Sequence, residues 1–307
     1  MKRIAALLAF VVLLASCNQY KTSPTGLKYK IKSGNGPALK NGQLIKFNVE
    51  YKVPPKDSVI TTSFDRIPAY MVVDSSRLEK HSFLEIILQC KVGDEVDFMM
   101  SVDTLKKLGG IPKEDPNFKV GDMIKGRVQI LKAFATQEEA QADYAKEIDL
   151  EKAREVKAVQ EYASKKGYKT QATPSGALVM VENPGTGAKA DSGTVAKVMY
   201  KGYLLKNGQE FDSNMKPGGQ PLEVGVGGGQ VSGISVIKGL DEALRYVGKG
   251  GKGRVFIPAM LGYGPKGSPP MIPEYANLGF DFEVIDVAAQ PAAPAPAPVV
   301  PAPAPKK

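Results

Sequence analysis

The chain has 307 residues, 43% hydrophobic and 24% charged, with 41 Lys+Arg against 32 Asp+Glu and a formal net charge of +9. These proportions fit about two globular domains and exclude a wholly disordered chain, a collagen-like repeat and a polytopic membrane protein. Two cysteines (Cys17, Cys90) and one histidine (His81) are too few for a disulfide framework or a Cys/His zinc site, and nothing beside His81 resembles a nucleophile motif.

In chain order, Lys2 and Arg3 precede an unbroken apolar run from Ile4 to Ala15. As a helix the run rises about 18 Å, short of a hydrocarbon core of roughly 30 Å, so residues 1–16 read as a secretory signal. Leu14-Ala15-Ser16-Cys17 resembles the bacterial lipobox, which implies that Cys17 becomes an acylated N-terminus. The plainer alternative is a secretory signal that happens to contain a cysteine. Several acyl chains on Cys17 would anchor the protein stably in a lipid membrane, where one chain alone is marginal. The expected location is therefore the bacterial cell envelope. Asn18, where sorting rules disfavour aspartate, favours the outer membrane, with the periplasmic face expected over the surface. Export argues against a nucleic-acid partner.

A weak repeat follows at a spacing near 150 residues. Ser23-Pro24-Thr25-Gly26 recurs as Thr173-Pro174-Ser175-Gly176, Gly42 as Gly193, and Phe64-Asp65 as Phe211-Asp212. Each copy opens on alternating apolar residues (Leu27, Tyr29, Ile31; Leu178, Met180). Each also closes on them (Ile124, Val128, Ile130; Phe280, Phe282, Val284, Ile285). Short strands, glycine turns and one short helix per copy give an α+β class. The domains read as 24–135 and 173–287, the latter with a core at 193–287.

Between them Thr136 and Glu139 fit a capping box and Gly167 a helix end, so 136–168 is a helical linker. Its apolar residues (Ala140, Tyr144, Ile148, Val156, Val159, Ala163) are sparse. The linker is either a solvated spacer laced with ion pairs or the helix of a homodimer. Residues 288–307 hold seven prolines, mostly as Ala-Pro, and read as an extended tail outside the fold.

The second copy carries an ordered set of motifs. Val198-Met199-Tyr200-Lys201-Gly202-Tyr203-Leu204 comes first, then the Asn207-Gly208 turn and Phe211-Asp212-Ser213. Val236-Ile237-Lys238-Gly239-Leu240-Asp241-Glu242-Ala243-Leu244 follows. Gly262-Tyr263-Gly264, Ile272-Pro273 and Phe280-Asp281-Phe282-Glu283-Val284 complete the series. In this order the segment resembles the FKBP-type peptidyl-prolyl cis–trans isomerases. The resemblance implies a twisted antiparallel sheet around a short helix, with an aromatic pocket between them. It also implies an enzyme that rotates X-Pro bonds of unfolded or nascent envelope proteins and needs no cofactor or metal. Catalytic roles carry over to Tyr200, Phe211, Asp212, Ile237, Tyr263 and Phe280. Contact with substrate carries over to Leu222, Val224, Val236, Leu240, Met271 and Ile272. The Ile237 N–H and the Tyr263 hydroxyl would donate hydrogen bonds, and Asp212 would organise the pocket without moving a proton.

Two departures stand out. Leu240 replaces the tryptophan usual at the pocket floor, and Leu222 a common phenylalanine. The stretch Gly227-Gly228-Gly229-Gln230-Val231-Ser232-Gly233 is also longer than usual; it reads as a flap insertion and lacks the ending of a phosphate loop. The first copy resembles the family only faintly. Val49 stands where the pocket tyrosine is expected, with Tyr51 two residues on, and Phe83 falls near the position of Leu240. It reads as a degenerate domain that is non-catalytic or binds unfolded chains, with Cys90 a packed thiol and His81 a surface histidine. The alternative for the whole chain is a lipid-anchored chaperone or scaffold with a vestigial isomerase pocket. The tail folding back as a pseudosubstrate is a further reading.

Overall fold

The computed structural model describes residues 19–289 except 232; Cys17, the signal and residues 290–307 lie outside the described residues. The chain divides into two compact units, with the boundary between Glu151 and Lys152.

The first unit contains β1 (Lys21–Thr22), β2 (Lys28–Lys32), β3 (Leu44–Val53), β4 (Ser58–Thr62), β5 (Ala69–Val72), β6 (Glu95–Ser101) and β7 (Met123–Phe134). The second contains β8 (Gln171–Ala172), β9 (Leu178–Asn183), β10 (Thr194–Leu204), β11 (Glu210–Ser213), β12 (Leu222–Gly225), β13 (Lys252–Ile257) and β14 (Leu278–Ala289). The sheets run β1-β2-β6-β7-β3-β4 and β8-β9-β13-β14-β10-β11, with β5 also on β3 and β12 also on β10. Every pairing is antiparallel, and the two orders are the same topology written twice.

Alternation builds the long strands. Ile45 and Phe47 on β3, and Ile124, Val128 and Ile130 on β7, face one core; Val198 on β10, and Phe280, Phe282 and Val284 on β14, face the other. Across that face lies a short helical segment: the 3-10 helix Phe83–Gln89 in the first unit and α3 (Lys238–Leu244) in the second. Phe83, Ile86 and Ile87, or Leu240, Ala243 and Leu244, bury against the sheet. Another helix of seven residues, α1 (Val102–Leu108), follows β6 and ends on Gly109, whose φ of 81° suits glycine.

Each sheet carries a bulge at the equivalent position. The β3–β7 ladder shifts between Lys46 and Phe47, and the β10–β14 ladder between Lys197 and Val198. Ile285 is the extra residue of the second ladder and turns outward, 39% exposed, so it does not continue the inward alternation expected of it. In β9 the phase also differs from expectation. Ala177 and Val179 enter the main core, while Leu178 packs on the opposite face with Phe256, Val159 and Ala163. Both faces of this strand are covered, so alternation could not show which one holds the pocket.

α2 (Gln137–Lys165) starts as expected: Glu139 N–H donates to Thr136 Oγ1 at 3.2 Å, and Glu139 Oε2 accepts from Ala135 N–H. Most of it is solvated, as expected of a spacer, but one stripe is covered. Its covered residues recur every four positions, and several are acidic. In the first unit Asp143 and Glu147 accept from Lys46 at 2.8 and 2.6 Å, and the fully buried Glu151 pairs with Arg66 at 2.9 Å. In the second, Glu155 accepts from the Met260 N–H at 2.7 Å, beside the buried Val159 and Ala163. Burial opposes the Asp143 charge, but hydrogen bonds from Lys46, Tyr70 and Lys132 outweigh it and hold the carboxyl at about 2. The C-terminal tail also starts later than composition suggests, because Ala288 and Ala289 extend β14 by pairing with Val195 and Thr194.

His81 is buried at 1% rather than on the surface. Its Nε2 accepts from the Ser101 N–H at 2.7 Å, so Nδ1 carries the proton and faces the Thr25 carbonyl at 3.1 Å. Burial lowers its pKa below 6.5, against the opposing pulls of the Thr25 carbonyl and Glu85. The unfolded chain thus binds this proton more readily than the folded one. The contribution is complete above about pH 6.5 and falls as pH drops toward the depressed folded value. As His81 is the one histidine of the chain, its imidazole NMR titration is unambiguous. We expect a midpoint below 6.5, and a His81→Asn protein that lacks this part of the stability slope between pH 7 and 5. A midpoint at or above 6.5 overturns the assignment.

Candidate functional site

In the second unit the sheet's inner face, α3 and the 259–277 connection enclose an aromatic cleft. β10 and β14 bring Gly202 opposite Phe280. A side chain at Gly202 would lie 2.7 Å from the Phe211 ring and 2.8 Å from Phe280, so glycine is what lets these rings meet. Phe211 is the extra residue of a bulge: Gly202 pairs with Asp212 and Tyr203 with Glu210. The bulge turns Phe211 inward, edge-on to Phe280 with centroids 5.6 Å apart, while Tyr200 lies 6.1 Å from Phe280 on another side.

The Tyr200 hydroxyl donates to Asp212 Oδ2 at 2.6 Å. Burial, then this hydrogen bond and the Asp212 charge, raise the Tyr200 pKa well above the ordinary phenol range. Tyr263, 40% exposed, is raised by burial and by the same carboxylate, which places its ring in the Asp212 field. Both hydroxyls therefore remain protonated donors at physiological pH. Leu240 and Ile272 are packed into this cluster, with Leu222, Val236 and Ile237 half-buried against it.

Ile237 caps the start of α3 in extended conformation. Its carbonyl accepts from the Leu240 and Asp241 N–H groups, and its own N–H has no partner among the described residues. Met271, 45% exposed, tips a small hairpin closed by reciprocal Ser268–Ile272 hydrogen bonds. Of the expected set, Tyr200, Phe211, Asp212, Ile237, Tyr263, Phe280, Leu222, Val236, Leu240 and Ile272 converge, and Met271 stands at the rim. Val224 belongs to the same buried cluster as Leu240 and Phe280. It is 1% exposed on β12, where it pairs with Ala196 of β10.

Two residues at the site escaped sequence reasoning. Asn214 accepts the Tyr200 N–H at 2.6 Å and donates to the Val198 and Gln220 carbonyls, locking the chain after the bulge. Asp241 accepts the Gly227 N–H at 2.7 Å and pairs with Arg245 at 3.0 Å, tying the glycine-rich stretch to α3. An Asn two residues past Asp212 was the one available signal for the first; the second depends on a loop contact that spacing does not reveal. Among the described residues no cluster of His, Cys, Asp and Glu could hold a metal ion.

The first unit lacks the same constellation. Its equivalent bulge places Ile60, not Phe64, where Phe211 stands, because Tyr51 pairs with Thr61 and Lys52 with Val59. The sequence match of Phe64-Asp65 to Phe211-Asp212 is thus displaced by four residues. The Phe64 ring instead lies 4.0 Å from the Arg127 guanidinium.

The sequence model described as FKBP-type peptidyl-prolyl cis-trans isomerase matches residues 186–285. The probable FKBP-type peptidyl-prolyl cis-trans isomerase of Haemophilus influenzae is 35% identical over 175 residues, 54% of this chain and 69% of that relative. FkpA of Escherichia coli K12 is 38% identical over 170 residues, 54% of this chain and 58% of its own. The crystal structure of FkpA from Escherichia coli aligns at 29% identity and a TM-score of 0.38, over 50% of this chain and 69% of that one. With the matched segment spanning every element of the aromatic cleft, this chain belongs to the FKBP-type peptidyl-prolyl cis–trans isomerases.

Proposed function

We propose that the second unit rotates X-Pro bonds in unfolded or nascent proteins of a bacterial envelope, with Cys17 acylated as the membrane anchor. The observation that carries the catalytic part is the convergence of Tyr200, Phe211, Asp212, Tyr263 and Phe280 over a floor that includes Leu240. Nothing in that set can serve as a nucleophile with its base, and X-Pro rotation needs none. The barrier is the amide resonance of roughly 18–20 kcal/mol.

An apolar cleft favours the proline ring and disfavours the charge-separated resonance form that keeps the amide planar. The Ile237 N–H and the Tyr263 hydroxyl hold substrate carbonyls on either side of the rotating bond. Asp212, oriented by Tyr200, faces the amide carbonyl as it turns. These contacts are better made to the twisted amide than to either planar isomer, which is catalysis by differential binding. Leu240 keeps the floor apolar without a flat aromatic plate, so the proline ring is held by Phe211 and Phe280 from the sides.

Proline-limited refolding of a model protein tests the reaction. Wild type should accelerate the slow phase. Asp212→Ala and Tyr263→Phe should each lower kcat/KM about tenfold or more, on the order of 1.4 kcal/mol of transition-state stabilisation. No acceleration by wild type, or none lost in the double variant, favours the chaperone or scaffold reading instead. As no proton moves and both tyrosines stay protonated, the rate should be flat from about pH 6 to 9. For the anchor, Cys17→Ser should shift the protein from the membrane to the soluble fraction and abolish metabolic labelling with palmitate. Unchanged fractionation and labelling would rule out acylation at this residue.

A further inference from the structure

The first unit holds a groove of about 560 Å³ lined by Tyr51, Ile60, Met100, Leu105, Ile111 and Ile124, with Glu79 and Lys80 at its lip. The shared topology places it where the second unit has its cleft. Through the matching bulges, Ile60 occupies the place of Phe211 and Tyr51 that of Gly202. Phe98 and Gly126 form the cross-strand pair that Val255 and Phe280 form in the second unit. The aromatic side chain has therefore changed strands. A Cβ at Gly126 would collide with the Phe98 ring, and Phe98 packs at a tilt on Phe83 and stands edge-on to Tyr51. These rings fill the inner part of the old cleft and leave its outer part open.

The groups for X-Pro rotation are absent from this copy. By the same registers Val49 stands at the place of Tyr200, Thr61 at that of Asp212 and Gly126 at that of Phe280. What remains is apolar, and its rim is apolar too. Ile60 is 61% exposed, Leu108 48% and the neighbouring Val59 49%, a concentration of wet hydrophobic surface that calls for a partner. The lip that carries Val236 and Ile237 in the second unit carries Glu79 and Lys80 here. Neither is in an ion pair among the described residues.

We propose that this groove binds an extended apolar segment of unfolded polypeptide without regard to proline. A polypeptide is the occupant because the groove retains the position at which the second unit takes its chain. It is also because carboxylate and ammonium side by side complement the mixed charges flanking a client's apolar stretch. A bare acyl chain would leave both charges against hydrocarbon. A cavity of this size accommodates one or two large side chains, with Ile60, re-aimed by the bulge, forming the near wall.

The test is fluorescence anisotropy with the full chain and a fluorescein-labelled peptide of Val, Ile and Leu flanked by Lys and Glu, containing no proline. Wild type should bind it, and a short X-Pro tetrapeptide should not displace it. Ile60→Asp with Leu108→Asp should weaken binding at least tenfold while rotamase activity on the tetrapeptide is unchanged. Both side chains are largely exposed, so the fold should survive, and an unaltered circular dichroism melt checks this. Asp212→Ala protein should still bind the peptide, which separates failure here from failure of the isomerase reading. Unchanged affinity in the double variant, displacement by the tetrapeptide, or a wild-type dimer that the double variant dissociates would each overturn the proposal, the last by assigning the groove to a second copy of the chain.

Discussion

In each unit a carboxylate ties the turn before the first long strand to the helical segment that crosses the sheet. Glu85 accepts from the Thr25 hydroxyl and N–H; Glu242 accepts from the Ser175 hydroxyl at 2.6 Å and its N–H at 3.2 Å. Burial alone would raise both pKa values, yet the hydrogen bonds converging on each carboxylate bring them below the ordinary range. With the helix pinned at this end, Leu240 and Leu244 can lie against β13 and β14. The space left beyond the helix is the cleft. The Ser/Thr-Pro-Ser/Thr-Gly repeat seen in the sequence is the other half of this tie, which is why it survived in both copies while pocket residues did not.

The cleft then depends on where aromatic rings are allowed to stand. In the second unit Gly202 clears the way for Phe211 and Phe280 to meet, and the bulge supplies Phe211 from the edge of the sheet. In the first unit the glycine is on the other strand, at position 126, and Phe98 moves into its place. This exchange of glycine and aromatic between neighbouring strands is one of the differences between the two sites, beside Ile60 for Phe211, Val49 for Tyr200 and Thr61 for Asp212. The backbone, topology and bulges are otherwise kept. The same scaffold thus carries two differently lined sites.

Much was legible because the relevant signals are local. The capping box at Thr136, the end of α2 near Gly167 and the aromatic motifs of the second copy all fall where their chemistry predicts. The helix's environment was not legible. Its covered positions are marked by Asp143, Glu147 and Glu151 in the first unit and by Glu155 in the second, and a hydrophobic stripe was the wrong thing to seek. Those carboxylates can be covered because Lys46, Arg66 and the Met260 N–H meet them, partners distant in sequence. His81 misled for the same reason: an isolated polar residue reads as surface until Ser101 and Thr25 are seen to satisfy both ring nitrogens.

Composition and the repeat determined by themselves that the chain is a two-domain α+β protein, and motif order that the second copy is the one resembling the FKBP-type isomerases. Those conclusions rest on residue types, which three-dimensional packing cannot change. Only the tertiary structure decided which residue of the first copy answers to Phe211, because a bulge shifts register and sequence identity at Phe64-Asp65 pointed four residues away. It also decided that Ile285 turns outward at the β14 bulge and that α2 is packed along its acidic side. The physical reason is common to all three. Strand register, the facing of a side chain and the satisfaction of a buried charge are each set by partners across the sheet or across the fold, and a linear sequence holds no distance between them.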